Sequence, residues 1–371
     1  MSGAYGHRPM SHSFPFPTVA VRFAKIFVLL LLLAGCGRTN KEQPAGAEPA
    51  AKPAKPDVIT FGAYTTPREA YGKSILPTFR KKWQAQSGRD VEFRESYLGS
   101  GAQARAIVAG FEADVAALSL EPDLEKLEKA KLIEHDWKSG EYQGMVTRSV
   151  VVIGVREGNP KNIKTWEDLA RPGVEVLTPN VRTSGGAMWN VLAIYGAALR
   201  GHAGVPAGDK EGAIKLLASI LRNVKIMDRG ARDSMLTFER GVGDAIITYE
   251  NEILVGRKEG KRYDYITPSS TVLIENPIAL LDVHAKRHGA SEVSRAFIDF
   301  LFTPEAQRAF AEFGLRPVNK TVAAETSARF APVSDLFTIR DVGGWDEVQK
   351  GVFGENGAYD QAVLGSKKET P

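Results

Sequence analysis

The sequence predicts an α/β protein built of two lobes, with mixed, mostly parallel sheets and a cleft between the lobes. Short apolar runs rich in β-branched residues alternate with amphipathic helical stretches, a pattern typical of sheets covered by helices. A chain of 371 residues with 43% hydrophobic content is long enough for about two ordinary domains. Two long, extended, largely apolar stretches, at 149–155 and 270–281, interrupt the alternation.

Residues 1–35 are predicted to be a signal peptide. Arg22 and Lys25 precede an apolar run over 26–35, which is shorter than the roughly 20 apolar residues of a membrane-spanning helix. The run ends in Leu33-Ala34-Gly35-Cys36 and resembles the bacterial lipobox. The resemblance implies that Cys36 is lipidated and becomes the mature N-terminus; a chance cysteine after an ordinary signal is the alternative.

Residues 36–57 are predicted to comprise the lipidated cysteine and a tether, because 38–55 are rich in Ala, Pro, Lys and Glu and lack large apolar residues. Cys36 is the only cysteine, so the mature domain forms no internal disulfide and has no thiolate zinc site. Residues 1–35 hold three basic residues, which leaves 45 basic against 44 acidic ones and a formal net charge of +1. This near-neutral charge does not support nucleic-acid binding.

The alternating region begins at residue 58. Strands are predicted at 58–64, 91–96, 115–118, 149–155, 175–178, 225–227, 244–249, 263–266 and 277–282. Helices are predicted at 69–86, 103–112, 187–199, 210–221, 234–240 and 292–313. Because helices separate most successive strands, the strands are expected to pair mainly in parallel.

The two long apolar stretches are interpreted as crossings between the lobes. On this interpretation residues 58–149 and 276–371 form lobe I, and residues 150–275 form lobe II. One continuous sheet with two ordinary buried strands is the alternative, because apolar patterning does not distinguish the two arrangements.

Four predicted strand-to-helix junctions share small residues, hydroxyls and glycines. They are Tyr64-Thr65-Thr66-Pro67, Gly99-Ser100-Gly101, Thr183-Ser184-Gly185-Gly186 and Gly230-Ala231-Arg232. The first N–H groups of a helix lack intrahelical partners and lie at the positive end of its dipole. Several such ends converging on one point can bind a dianion without Lys or Arg. Any single junction is more often an ordinary cap or turn.

The junctions lie in motifs that resemble the sulfate/thiosulfate-binding protein family. The run from Tyr64 to Glu69 resembles the opening motif of that family, 94–103 its Ser-x-x-Gly-Ser-Gly loop, and 178–190 its Thr-Pro-Asn…Ser-Gly-Gly-Ala-x-Trp-Asn signature. The resemblance covers nearly all of the chain after the tether. It implies a periplasmic-binding-protein type II fold that binds sulfate or thiosulfate between its lobes and delivers it to the permease and ATPase subunits of an ABC importer.

The resemblance also implies which residues bind the anion. The matching positions are Thr65 through its amide, Ser100, Ser184 through its amide or hydroxyl, Gly185, Gly186, Ala231 and Tyr249. It implies an exported monomer without catalytic residues, cofactor or metal. This monomer is expected to contact the membrane only through its lipid. Arg68 and Arg232 are expected to pair with carboxylates rather than with the anion. His135, His202, His284 and His288 are expected at the surface.

Two positions depart from the family pattern. Thr65 stands where the sulfate binders have Asp. The predicted donor at this position is the backbone amide, which is present with either residue. Tyr249 replaces a Trp, so that a hydroxyl able to donate or accept stands in place of a donor-only indole. Molybdate binders also use a tyrosine hydroxyl from this region, so molybdate and phosphate remain alternative anions, and rejection of phosphate is a weaker expectation. An ordinary core tyrosine is the alternative for Tyr249.

A secreted sulfate- or phosphate-ester hydrolase is the alternative from another class. The sequence contains no Walker lysine motif, no HExxH, no GxSxG and no cysteine for a formylglycine-type sulfatase. A purely structural lipoprotein would leave the shared junction composition unexplained. The sequence therefore favours a receptor over an enzyme.

Overall fold

The computed structural model describes residues 55–368, so the predicted signal peptide, Cys36 and most of the tether lie outside the described residues. The strands are β1 Asp57–Tyr64, β2 Val91–Leu98, β3 Val115–Ala117, β4 Met145–Arg156, β5 Val176–Pro179, β6 Val224–Asp228, β7 Ala245–Tyr249, β8 Tyr263–Ile266, β9 Ser270–Leu280, β10 Arg316–Pro317 and β11 Asp335–Phe337. None of the helices in this part of the chain has both the length and the apolar composition needed to cross a bilayer.

The helices cover both faces of the sheet. They are α1 Arg68–Ala70, which continues through a π-helical turn at Tyr71–Ile75 into α2 Leu76–Ser87, α3 Ser100–Val108, α4 Glu121–Lys129, α5 Gly185–Leu199, α6 Lys210–Arg222, α7 Ala231–Glu239, α8 Glu250–Lys258, α9 Asp282–His288, α10 Ser291–Leu301, α11 Pro304–Glu312, α12 Lys320–Glu325, α13 Gly344–Gly351 and α14 Ala358–Lys368. Short 3₁₀ turns lie at Glu167–Ala170, Ser327–Arg329 and Ile339–Val342.

The strands form one connected sheet in which β4 and β9 lie in the middle, in the order β2-β1-β3-β9-β4-β7-β5-β6. At one end β1 pairs in parallel with β2 and β3, and at the other β5 pairs in parallel with β6 and β7. Every antiparallel pair among the described strands involves β4 or β9. These are the two strands predicted as crossings, and the two-lobed α/β fold class is confirmed.

Each end of the sheet has its own hydrophobic core. The core around Phe61 and Phe297 packs on the β1 end, and the core around Trp166 and Leu192 packs on the β5 end. The positions of the lobe boundaries stay a prediction, but the packing gives a reason to revise one of them. Residues 335–368, which the sequence interpretation placed in lobe I, contribute Phe337 and other apolar side chains to the core of the β5 end.

Several local predictions need correction. The helix predicted at 292–313 is two helices, because the Thr303 side chain caps α11 and Pro304 occupies its first turn. Helices α4 and α8 were not predicted at all. His284 is not at the surface: it is buried, and its Nδ1 lies 2.9 Å from the Ala113 carbonyl oxygen.

Candidate functional site

The four predicted junctions meet in space, although they are far apart in the sequence. A Cβ atom on Gly99 would lie 2.4 Å from the carbonyl oxygen of Thr183. The Thr183 hydroxyl in turn donates to the carbonyl of Arg229 over 2.8 Å. A Cβ atom on Gly230 would lie 3.3 Å from the Thr65 hydroxyl oxygen. The starts of α1, α3, α5 and α7 therefore surround one point between the two ends of the sheet.

Tyr249, which immediately precedes α8, completes this arrangement. A Cβ atom on Gly186 would lie 2.9 Å from Cε2 of the Tyr249 ring and 3.2 Å from the Cβ of Ala231. The structure thus brings all seven predicted residues into one neighbourhood. Thr65 is half-buried and the other six, Ser100, Ser184, Gly185, Gly186, Ala231 and Tyr249, are buried.

Helices α3, α5, α7 and α8 begin at this site without a side-chain cap. The N-cap residues of α3, α5, α7 and α8 are Gly99, Ser184, Gly230 and Tyr249, and none accepts a hydrogen bond from the first turn. By contrast, Asp209, Thr303 and Asn319 cap α6, α11 and α12. Other helices also begin without a cap, so the distinguishing feature here is that the uncapped starts converge. The Ala102 amide in the first turn of α3 donates to the Thr183 carbonyl over 3.4 Å, whereas the amides of Ser100, Gly185, Gly186 and Ala231 make no such backbone hydrogen bond and remain available as donors.

The two predicted serines differ in what they can still donate. The Ser100 hydroxyl donates to Asp123 over 2.7 Å and accepts from the Ser119 amide over 2.9 Å, so its backbone amide is the donor that remains. The Ser184 amide donates to the Asn180 carbonyl over 2.9 Å, so Ser184 retains its hydroxyl. Of the two alternatives that the sequence left open for Ser184, the geometry favours the hydroxyl, and its role stays a prediction.

Tyr249 is fully buried, and its hydroxyl oxygen lies 2.7 Å from Oγ of Ser119. Burial raises the pKa of this phenol well above its ordinary value, so the group is neutral at physiological pH. Sequence reasoning missed Ser119, which follows β3. The available signal was the run Ser119-Leu120-Glu121-Pro122, a hydroxyl before a helix start with proline in its first turn.

Arg232, in the first turn of α7, forms ion pairs with two carboxylates. Arg232 donates to Glu252 over 3.0 Å and its Nη2 lies 3.3 Å from Oε1 of Glu69, as expected from the sequence. Arg68 instead lies over the Tyr97 ring, 5.4 Å from its centroid. Burial of Glu252, reinforced by the nearby Glu69, raises the pKa of Glu252 to about 7 although Arg232 opposes the shift.

Comparisons with known proteins agree with this architecture. The family described as bacterial extracellular solute-binding protein matches residues 59–316. A sulfate-binding protein of Synechococcus elongatus is 39% identical over 91% of this chain and 94% of its own length, and a thiosulfate-binding protein of Escherichia coli is 33% identical over 82% and 90%.

A solved structure is similar to this chain in both sequence and fold. The sulfate-binding protein SubI from Mycobacterium tuberculosis is 36% identical and aligns with a TM-score of 0.72 over 79% of this chain and 98% of its own. The family match over residues 59–316 includes strands from both ends of the sheet and the residues of the site between them. This chain belongs to the bacterial extracellular solute-binding protein family.

Proposed function

We propose that this protein is an extracytoplasmic receptor that binds sulfate or thiosulfate and delivers it to the permease and ATPase subunits of an ABC importer. The observation that carries the proposal is the convergence of uncapped helix starts in a buried site between the two ends of the sheet. Amides at helix N-termini stabilise an anion through hydrogen bonds and the helix dipole. The names of the relatives above support sulfate and thiosulfate as the ligands.

The anion is held mainly by neutral donors. We assign this role to the amides of Thr65, Ser100, Gly185, Gly186 and Ala231 and to the hydroxyls of Ser184 and Tyr249. Arg232 does not supply the compensating charge, because Glu252 and Glu69 already pair with it. Full ionisation of sulfate at neutral pH suits such a set of donors.

The remaining parts of the proposal concern the setting of the receptor. We propose that it acts as a monomer, that it is not an enzyme, and that a lipid on Cys36 anchors it to a bacterial membrane. A test with chromogenic sulfate and phosphate esters separates receptor from hydrolase, since a receptor releases no chromophore.

Calorimetric titration of the mature domain, starting at Pro56, tests the ligand assignment. Sulfate, thiosulfate, molybdate and phosphate are titrated separately at neutral pH. We expect tight one-to-one binding of sulfate or thiosulfate. Binding of molybdate or phosphate with sulfate ignored would retain the receptor but reassign its anion to one of the alternatives raised by Tyr249. Binding of none of the four would overturn the proposal.

A further inference from the structure

Ser119 is fixed in place by both ends of the sheet. Its amide donates to the Ser100 hydroxyl over 2.9 Å. Its carbonyl accepts from Nε1 of Trp189 over 3.0 Å and from Nδ2 of Asn276 over 3.2 Å. Because the backbone is held on both sides, the position of the Ser119 side chain has little freedom.

The Ser119 hydroxyl lies inside the anion site. It is 2.7 Å from the Tyr249 hydroxyl, and a Cβ atom on Gly185 would lie 2.6 Å from it. Ser119 and Tyr249 are both buried. The hydroxyl of Ser119 therefore lies against both the Tyr249 hydroxyl and Gly185 in the first turn of α5.

The direction of this hydrogen bond decides what Tyr249 can offer to an anion. Each hydroxyl carries one proton, and one proton serves their mutual contact. The oxygens of Ser119 and Tyr249 lie 2.7 Å apart, and either hydroxyl can donate in this contact. When the Ser119 hydroxyl donates, the phenol oxygen accepts, and the proton of Tyr249 is free to point away from Ser119.

We propose that Ser119 is a specificity-determining residue: by donating to the Tyr249 oxygen, it orients the phenol proton toward the bound anion. This inference rests on the proposed function and refines it. With Tyr249 held as a donor, the site acts like one with a donor-only indole at this position. A hydrogen phosphate ion would then place its own proton against a donor, which disfavours it relative to sulfate.

A double-mutant cycle tests this role. Ser119→Ala, Tyr249→Phe and the double variant are titrated with sulfate and with phosphate at pH 8, in the mature chain. We expect Ser119→Ala to weaken sulfate binding by about tenfold and to narrow the preference for sulfate over phosphate, because the phenol can then rotate and accept. In the Tyr249→Phe background, Ser119→Ala should have little further effect. Ser294→Ala, another buried serine but on α10, is the matched control and should bind like the parent.

Other outcomes have distinct meanings. An unchanged sulfate-to-phosphate ratio, or an equal loss of affinity from Ser119→Ala in both backgrounds, would show that Ser119 serves only packing. If the parent protein binds thiosulfate but not sulfate, the cycle is run with thiosulfate. If it binds molybdate but neither sulfate nor thiosulfate, the proposed ligand fails and the cycle is run with molybdate. Coupling between the two substitutions then still decides the role of Ser119. A parent that binds none of these anions overturns both proposals.

Discussion

Gly185 and Gly186 occupy the first turn of α5, and each lies directly against another part of the site. A Cβ atom on Gly185 would meet the Ser119 hydroxyl at 2.6 Å, and one on Gly186 would meet the Tyr249 ring at 2.9 Å. Ser119 follows β3 at one end of the sheet, whereas α5 belongs to the other end. At the scale of single residues, the absence of a side chain therefore allows the two ends to approach each other closely at the proposed anion site.

Gly185→Ala is expected to weaken anion binding by about a hundredfold or more, because its Cβ blocks this approach and displaces a donor amide. The free energy of unfolding should change little, since alanine favours the helix by about 1 kcal/mol over glycine. Calorimetric titration and urea unfolding measure the two quantities. Gly72→Ala is the matched control, because a Cβ there meets no atom within 4 Å. Undiminished affinity in Gly185→Ala would remove Gly185 from the site.

Elements with strong periodicity were predictable from the sequence, and those fixed by distant contacts were not. The amphipathic helix predicted at 210–221 is observed as α6, Lys210–Arg222, and the strand predicted at 58–64 is observed as β1. Helix α8 was missed because it is short and begins with two buried acidic residues, Glu250 and Glu252. These residues are accommodated only because Arg316 and Arg232 reach them from elsewhere.

The site was partly predictable for the same reason. Its backbone donors follow from glycine-rich junctions and from the family resemblance. Ser119 could not be assigned, because its role depends on a contact with Tyr249, 130 residues away in sequence. The hydroxyl of Ser100 shows the opposite case: the residue type was recognised, but its engagement with Asp123 is visible only in the structure.

A pair of N-cap substitutions should distinguish a residue that caps a helix from one that binds the anion at a helix start. Asp209→Ala removes the side-chain cap of α6 and is expected to lower the free energy of unfolding by about 1 kcal/mol with unchanged affinity. Ser184→Ala removes an N-cap hydroxyl that makes no cap hydrogen bond. It should weaken sulfate binding by about ten- to a hundredfold with little loss of stability. Chemical unfolding and calorimetry on both variants check this; equal losses of stability would mean that Ser184 is an ordinary cap.

On the scale of the whole molecule, burial of Glu252 links folding to pH. The pKa of this carboxyl is raised to about 7 in the folded protein, chiefly by burial, whereas in an unfolded chain it is about 4.3. Between these values the unfolded chain releases the proton while the folded protein keeps it. The contribution of Glu252 to stability is therefore fully present below the unfolded pKa and is lost as pH rises through about 7.

Glu252→Gln removes this titration. The free energy of unfolding of the variant, relative to the parent, should increase between pH 4 and pH 8 by on the order of 3 kcal/mol. Urea unfolding at several pH values measures the difference. Glu325→Gln is the control, because Arg308 lowers the pKa of this exposed carboxyl and the small pH trend should have the opposite sign. A pH-independent difference for Glu252→Gln would contradict the prediction.

The chain passes between the two ends of the sheet a third time. After β10 pairs with β4 at Thr147–Arg148, the chain returns as β11 and pairs with β9 at Ser270–Val272. Two adjacent connecting strands would let one end both bend and twist relative to the other. A third connection beside them resists twisting and leaves bending as the main degree of freedom. Any closure of one end over a bound anion would then follow a single path, so the proposed donors would meet each incoming anion in the same geometry.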